Sequence, residues 1–213
     1  IDPSLEDLND PFLMKDMDRA VERVKTALAN REKIVIYGDY DVDGITSTSV
    51  LIDFLSRLGA TIDFYIPDRI DEGYGISIAA VDKIRQMDPS LIITADCGIT
   101  AVDEVEYIKE CGMDIIITDH HECTGVLPDA HAVVNPHRPD CTYPFKELAG
   151  VGVVYKLIHA LCMEMELGDI YQDYVDLVTL GTVADVVPLV GENRIIVKYG
   201  IPKVENTSNI GLR

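Results

Sequence analysis

The sequence predicts an α/β fold: a doubly wound, mostly parallel sheet with helices on both faces, followed by a helical C-terminal segment. Three observations lead there. Short continuous runs of β-branched and aliphatic residues recur along the first two thirds of the chain. Stretches with apolar residues at helical spacing alternate with them. Because the runs are apolar throughout, the strands they form are buried on both faces, as in parallel sheets. A length of 213 residues with 47% apolar content suffices for one large domain and a sizeable core.

Residues 1–16 are polar and acidic with two prolines and read as a lead-in. Residues 17–29 carry Met17, Ala20, Val21, Val24, Ala27 and Leu28 on one helical face. Ile34–Tyr37 is the first strand, followed by a Gly/Asp-rich turn and a helix over about Ile45–Leu58. Ile62–Ile66 is the second, with a loop to about Gly75 and a helix through Met87. Leu91–Thr94 is the third, followed by a helix near Val102–Cys111. Ile115–Thr118 and Ala132–Val134 are the fourth and fifth. Beyond Gly150 the pattern predicts helices over 151–166 and 170–184 and a third over 192–205. We expect a catalytic domain over 1–190 and the start of a linker helix over 191–213. The chain opens at Ile1 and ends in polar residues 206–213, as a piece of a longer protein would.

The formal charge is −19, from 18 basic and 37 acidic residues. Taken alone it opposes nucleic-acid binding, which draws on Lys and Arg. The alternative is that many acids are metal ligands and a basic groove lies elsewhere. The five cysteines are odd in number and form no C-x-x-C pair, so a disulfide framework and a structural zinc site are both disfavoured and a reducing, cytoplasmic setting is expected. No apolar stretch has bilayer-spanning length, so no membrane partner is expected.

In doubly wound sheets, ligands bind beyond the carboxyl ends of the strands. The first strand leads into Gly38-Asp39-Tyr40-Asp41-Val42-Asp43-Gly44, the third into Ala95-Asp96-Cys97-Gly98, and the fourth into Asp119-His120-His121. The fifth leads into Asn135-Pro136-His137. Carboxylates gathered at one sheet edge repel one another unless a cation sits among them. Oxygen and imidazole donors suit manganese, magnesium or zinc, and the carboxylate excess favours the harder ions. The donors exceed what one ion needs, which points to a two-metal site that clamps phosphoryl groups and generates a hydroxide nucleophile.

Each motif also has a plainer reading. Asp39–Gly44 matches the start of an EF-hand loop, but position twelve is Val50 and a strand precedes it, so calcium is rejected there. Asp and Gly after a strand are ordinary turn formers. Asp185, expected inside a helical apolar stretch over 175–189, is either a cap, an acid held in the core, or a ligand. Gly150 and Gly152 open a helix whose N-terminus either approaches a phosphate or packs closely. Asn135, His137 and Arg138 are candidate phosphate contacts, with a solvated loop as the default for the last two. His131 and His159 carry no motif.

Asp119-His120-His121 resembles the tripeptide that names the DHH phosphoesterases, and the order of acids along the chain fits. Within that family, 37–47, 94–99, 134–137, 148–153 and 180–189 look like the RecJ-type branch, the 5′→3′ single-stranded-DNA exonucleases of DNA repair and recombination. The resemblance implies that Asp41, Asp43, Asp96, His120 and Asp185 are metal ligands, with Asp96 bridging. It implies that Asp39 is a further ligand or a support, and that His121 lies nearer the phosphate or steadies His120. These six acids and histidines other than Asp39, that is Asp41, Asp43, Asp96, His120, His121 and Asp185, form the expected catalytic set. It implies two divalent cations, Mn2+ or Mg2+, and single-stranded DNA gripped mainly by further C-terminal domains. Single-strand-binding protein and helicase partners are implied in the same way. Small-molecule members carry a His four residues before the Asp41 position, where this chain has Tyr37, which leaves the first metal's ligands less defined. The competing readings are a DHH enzyme of small nucleotides and a non-catalytic replication scaffold.

Overall fold

The computed structural model describes residues 3–69, 73, 75–207 and 209–212. Five strands follow the apolar runs: β1 (Lys33–Gly38), β2 (Thr61–Tyr65), β3 (Leu91–Ala95), β4 (Asp114–Thr118) and β5 (Ala132–Val134). They form one sheet in the order β2-β1-β3-β4-β5, and every pairing is parallel. Among the described residues seven α-helices accompany them: α1 (Met17–Asn30), α2 (Val42–Arg57), α3 (Ile78–Arg85), α4 (Val102–Glu110), α5 (Gly150–Glu164), α6 (Val175–Ala184) and α7 (Gly191–Glu205). The expected doubly wound architecture and helical C-terminal segment are both present.

The two faces of the sheet make two cores. Ile34, Ile36, Leu91, Ile93 and Ile116 point to one side, against α1, α2, α5 and α6. Val35, Tyr37, Ile92, Ile115 and Ile117 point to the other, against α3 and α4. The alternation of strand side chains therefore persists although both faces are buried. From β1 the chain crosses to β2 on one flank and then returns to β3 on the other. The carboxyl ends of β1 and β3 thus lie side by side where the winding reverses, with Gly38 paired to Ala95.

Three differences from expectation have clear causes. The lead-in is folded onto the body: Leu8, Pro11 and Met14 are buried around two short 3-10 turns, a segment too short to show periodicity. The predicted helix over 170–184 is a 3-10 turn, Ile170–Tyr174, followed by α6. The helical stretch expected to reach residue 189 stops at Ala184. Val186 takes a left-handed φ of 62°, and Pro188 disfavours helix at the residue before it. The loop expected up to Gly75 includes residues 70–72 and 74, which lie outside the described residues.

The segment 191–205 packs on α6, burying Ile195 and Ile196; a Cβ on Gly200 would lie 1.7 Å from Thr179 Oγ1. Its first turn carries a buried ionic cluster. Glu192 accepts from Lys156 Nζ at 2.5 Å, from the Tyr143 hydroxyl at 2.5 Å and from the Asn9 N–H at 2.9 Å. All five cysteines are free thiols. No helix among the described residues is long and apolar enough to cross a membrane.

Candidate metal centre

Sharp turns after β1, β3 and β4 bring the predicted acids and imidazoles together. Asp41 caps α2, its carboxylate accepting the Gly44 N–H at 2.8 Å. That cap turns the chain so that Asp43 points inward, with 2% of its surface exposed. Asp43 accepts the Gly150 N–H at 2.7 Å and the Val151 N–H at 2.8 Å, both from the first turn of α5. Asp39 is buried and accepts the Tyr40 N–H. Asp96 follows β3 with a left-handed φ of 67°, its N–H donating to Thr118 O.

Three overlapping triads result, each with donor atoms within 4.8 Å of one another: Asp39, Asp41 and Asp96; Asp43, His120 and Asp185; and Asp96, His120 and His121. His120 Nε2 lies 3.2 Å from Asp96 Oδ1, 3.7 Å from Asp185 Oδ2 and 3.9 Å from Asp43 Oδ2. Yet His120 Nε2 and Asp96 Oδ1 are both buried and neither makes a hydrogen bond. Burial pushes Asp96 up to about 9, with the charges of Asp119 and Asp41 adding to it. Burial and then Asp96 push Asp43 up to about 8, against the Val151 N–H. Orphaned donor atoms that face one another across a carboxylate cluster fit a divalent cation, which supplies the missing partner and the opposite charge.

Asp119 had no assigned role from the sequence. Its buried carboxylate accepts the N–H groups of Ile99, His120 and His121, and lies 2.7 Å from His121 Nδ1. Burial raises Asp119, but its bond with His121 and the backbone donors outweigh this and hold it below the usual range. The same bond, opposed by burial, raises His121 to about 9. The sequence signals for this brace were an Asp directly after a strand and its place at the head of the Asp119-His120-His121 tripeptide.

The predicted phosphate contacts fare differently. Arg138 is buried, and its guanidinium is held by Asp16, Asp140 and Val133 O. Asn135 is fully buried between His121 O and the His137 N–H. His137 pairs with Glu122. The N–H of Gly150 is committed to Asp43, and a Cβ there would sit 2.3 Å from Asp96 Oδ1; close packing is the reason for this glycine. Gly152 packs against Leu148. Asp185 caps the end of α6 and remains partly exposed. Tyr37 is buried with its hydroxyl on Gly75 O.

Residues 33–182 match the DHH family, N-terminal domain. The chain belongs to the DHH family. This DHH domain is 53% identical over 207 residues to the single-stranded-DNA-specific exonuclease RecJ of Bacillus subtilis, covering 97% of the chain and 26% of that protein. It is 37% identical to RecJ of Thermus thermophilus over 98% of the chain and 31% of that protein. The DHH domain thus spans about a quarter to a third of these two relatives. Among solved structures, an exonuclease RecJ bound to manganese superposes with a TM-score of 0.86 at 37% identity, covering 94% of this chain and 51% of that one. RecJ from Thermus thermophilus in complex with Mn2+ gives 0.81 at 34% identity, covering 94% and 28%.

Proposed function

We propose that this chain is the metal-bearing half of a cytoplasmic, RecJ-type 5′→3′ exonuclease that hydrolyses single-stranded DNA with two divalent cations, Mn2+ or Mg2+. The observation that carries the reading is the pair of orphaned buried atoms, Asp96 Oδ1 and His120 Nε2, at the meeting point of three donor triads. The relatives' manganese-bound structures and single-strand specificity support it. The residues that would hold them are Asp39, Asp41, Asp43, Asp96, His120 and Asp185, with Asp96 and His120 each belonging to two of the triads. When bound, the cations activate a water and neutralise the phosphodiester. The chain's own residues do the rest. Asp43 is fixed by the α5 backbone, and Asp119 holds the His121 ring beside the ligands through Nδ1. Every motif acid and both histidines converge, which argues against a scaffold that has lost its ligands.

The test uses the complete protein with 5′- and 3′-labelled single strands. Cleavage proceeds from the 5′ end and requires manganese or magnesium, and Asp96→Ala abolishes it while circular dichroism stays unchanged. Substantial cleavage by a folded Asp96→Ala protein removes Asp96 from this role; digestion from the 3′ end refutes the polarity. Single-strand-binding protein and helicase are the partners this reading implies.

A further inference from the structure

The two acids that share a site with His120 arrive from opposite directions. Asp43 is set by the backbone of residues 150 and 151, which continue directly from Glu147. Asp185 lies at the end of α6, where the chain enters the exposed segment 186–190. That segment begins in a strained left-handed valine, and no packing of Val186 explains it, since 85% of this side chain is exposed.

One side chain joins the two segments. The Asn193 amide, fully buried in the first turn of α7, donates to Pro188 O at 3.1 Å and also to Glu147 O. One carbonyl belongs to the segment after Asp185, and the other to the segment that ends in the donors of Asp43. The neighbouring Glu192 is locked by Lys156, Tyr143 and Asn9, so the turn that presents Asn193 is itself anchored. The amide's own oxygen is buried without a partner.

We propose that Asn193 is a positioning residue that fixes the separation of Asp43 and Asp185 and so sets the affinity of the cation they hold with His120. This rests on the metal reading above. Groups hydrogen-bonded directly to metal ligands change affinity by about 10–100-fold when removed; Asn193 acts one step further back, through the backbone, so the lower end of that range is expected.

The test is a manganese titration of this chain, following free Mn2+ by electron paramagnetic resonance and bound heat by calorimetry. The unaltered chain takes up two ions. Asn193→Ala weakens one of them by about 10-fold and leaves the other in place. Asn193→Ser, whose hydroxyl has one hydrogen to donate where the amide has two, gives a smaller loss and decides the matter if the alanine variant does not fold. Val24→Ala, a core truncation in α1, supplies a thermally destabilised comparator and leaves both affinities unchanged. Unchanged affinities in the folded Asn193 variants overturn the inference, as does an equal weakening in Val24→Ala. If the unaltered chain binds no manganese, the metal reading itself fails, and this inference with it.

Discussion

Asp96 illustrates how the site behaves at the scale of single residues. Its carboxyl, pushed up to about 9, and that of Asp43, pushed up to about 8, keep their protons in the folded metal-free chain at pH values where the unfolded chain has lost them. The folded state therefore holds more protons than the unfolded state between about pH 4 and 9. Stability falls as pH rises through that window. His121, raised to about 9, adds to the same trend: its contribution is complete below its unfolded value and is lost as pH rises through 9. Thermal melts of the metal-free chain should drop in midpoint from pH 6 to pH 9, and millimolar manganese should remove most of the drop by replacing the protons. A metal-free midpoint that rises over this range contradicts the assignment. Asp39, Asp41, Asp43 and Asp96 were legible in the sequence because each follows an apolar run, whereas Asp185, at the end of a helix, was singled out only by the family resemblance. What was not legible is how the neighbouring loop residues are held: Arg138 pairs with Asp16, Asn135 donates to His121 O and His137 pairs with Glu122, long-range or loop contacts that only the folded chain reveals.

At the scale of elements, α5 and the strand ends depend on each other. The first turn of α5 presses its backbone against Asp96 and donates two N–H groups to Asp43, an arrangement that tolerates no side chain at Gly150. Gly150→Ala should displace Asp96 and cost about 1–3 kcal/mol of stability, as overpacking does. Denaturant melts check the stability, and weaker manganese binding checks the displacement. The strands and most helices could be read from periodicity, because continuous β-branched runs and i, i+3, i+4 spacing are local signals. The failures lie where local signals are silent. Ile170–Tyr174 shares the apolar character of α6 but winds as a 3-10 turn, and the end of α6 is decided by the Val186 backbone and Pro188.

For the molecule as a whole, charge is the dominant property. A net −19 repels a polyanion, and two divalent ions offset only about four of those charges by valence. This chain should therefore bind a fluorescent single strand far more weakly than the complete protein, at matched salt and with a metal that does not support cleavage. Equal affinity would mean that the DNA grip resides in this domain. Composition made this asymmetry visible at once. It gave no hint that residues 3–16 belong to the body, where Asp16 clasps Arg138 and Asn9 meets Glu192. The bond between Asp43 and Gly150 also has a consequence in time. The two residues are 107 positions apart. On a ribosome adding about 5–20 residues per second, roughly 5 to 20 seconds separate the emergence of the first acids from that of the backbone that holds them. Asp185 follows later still, so the nascent chain must carry its acidic turn unsupported and can assemble the site only when nearly all of this domain has been made.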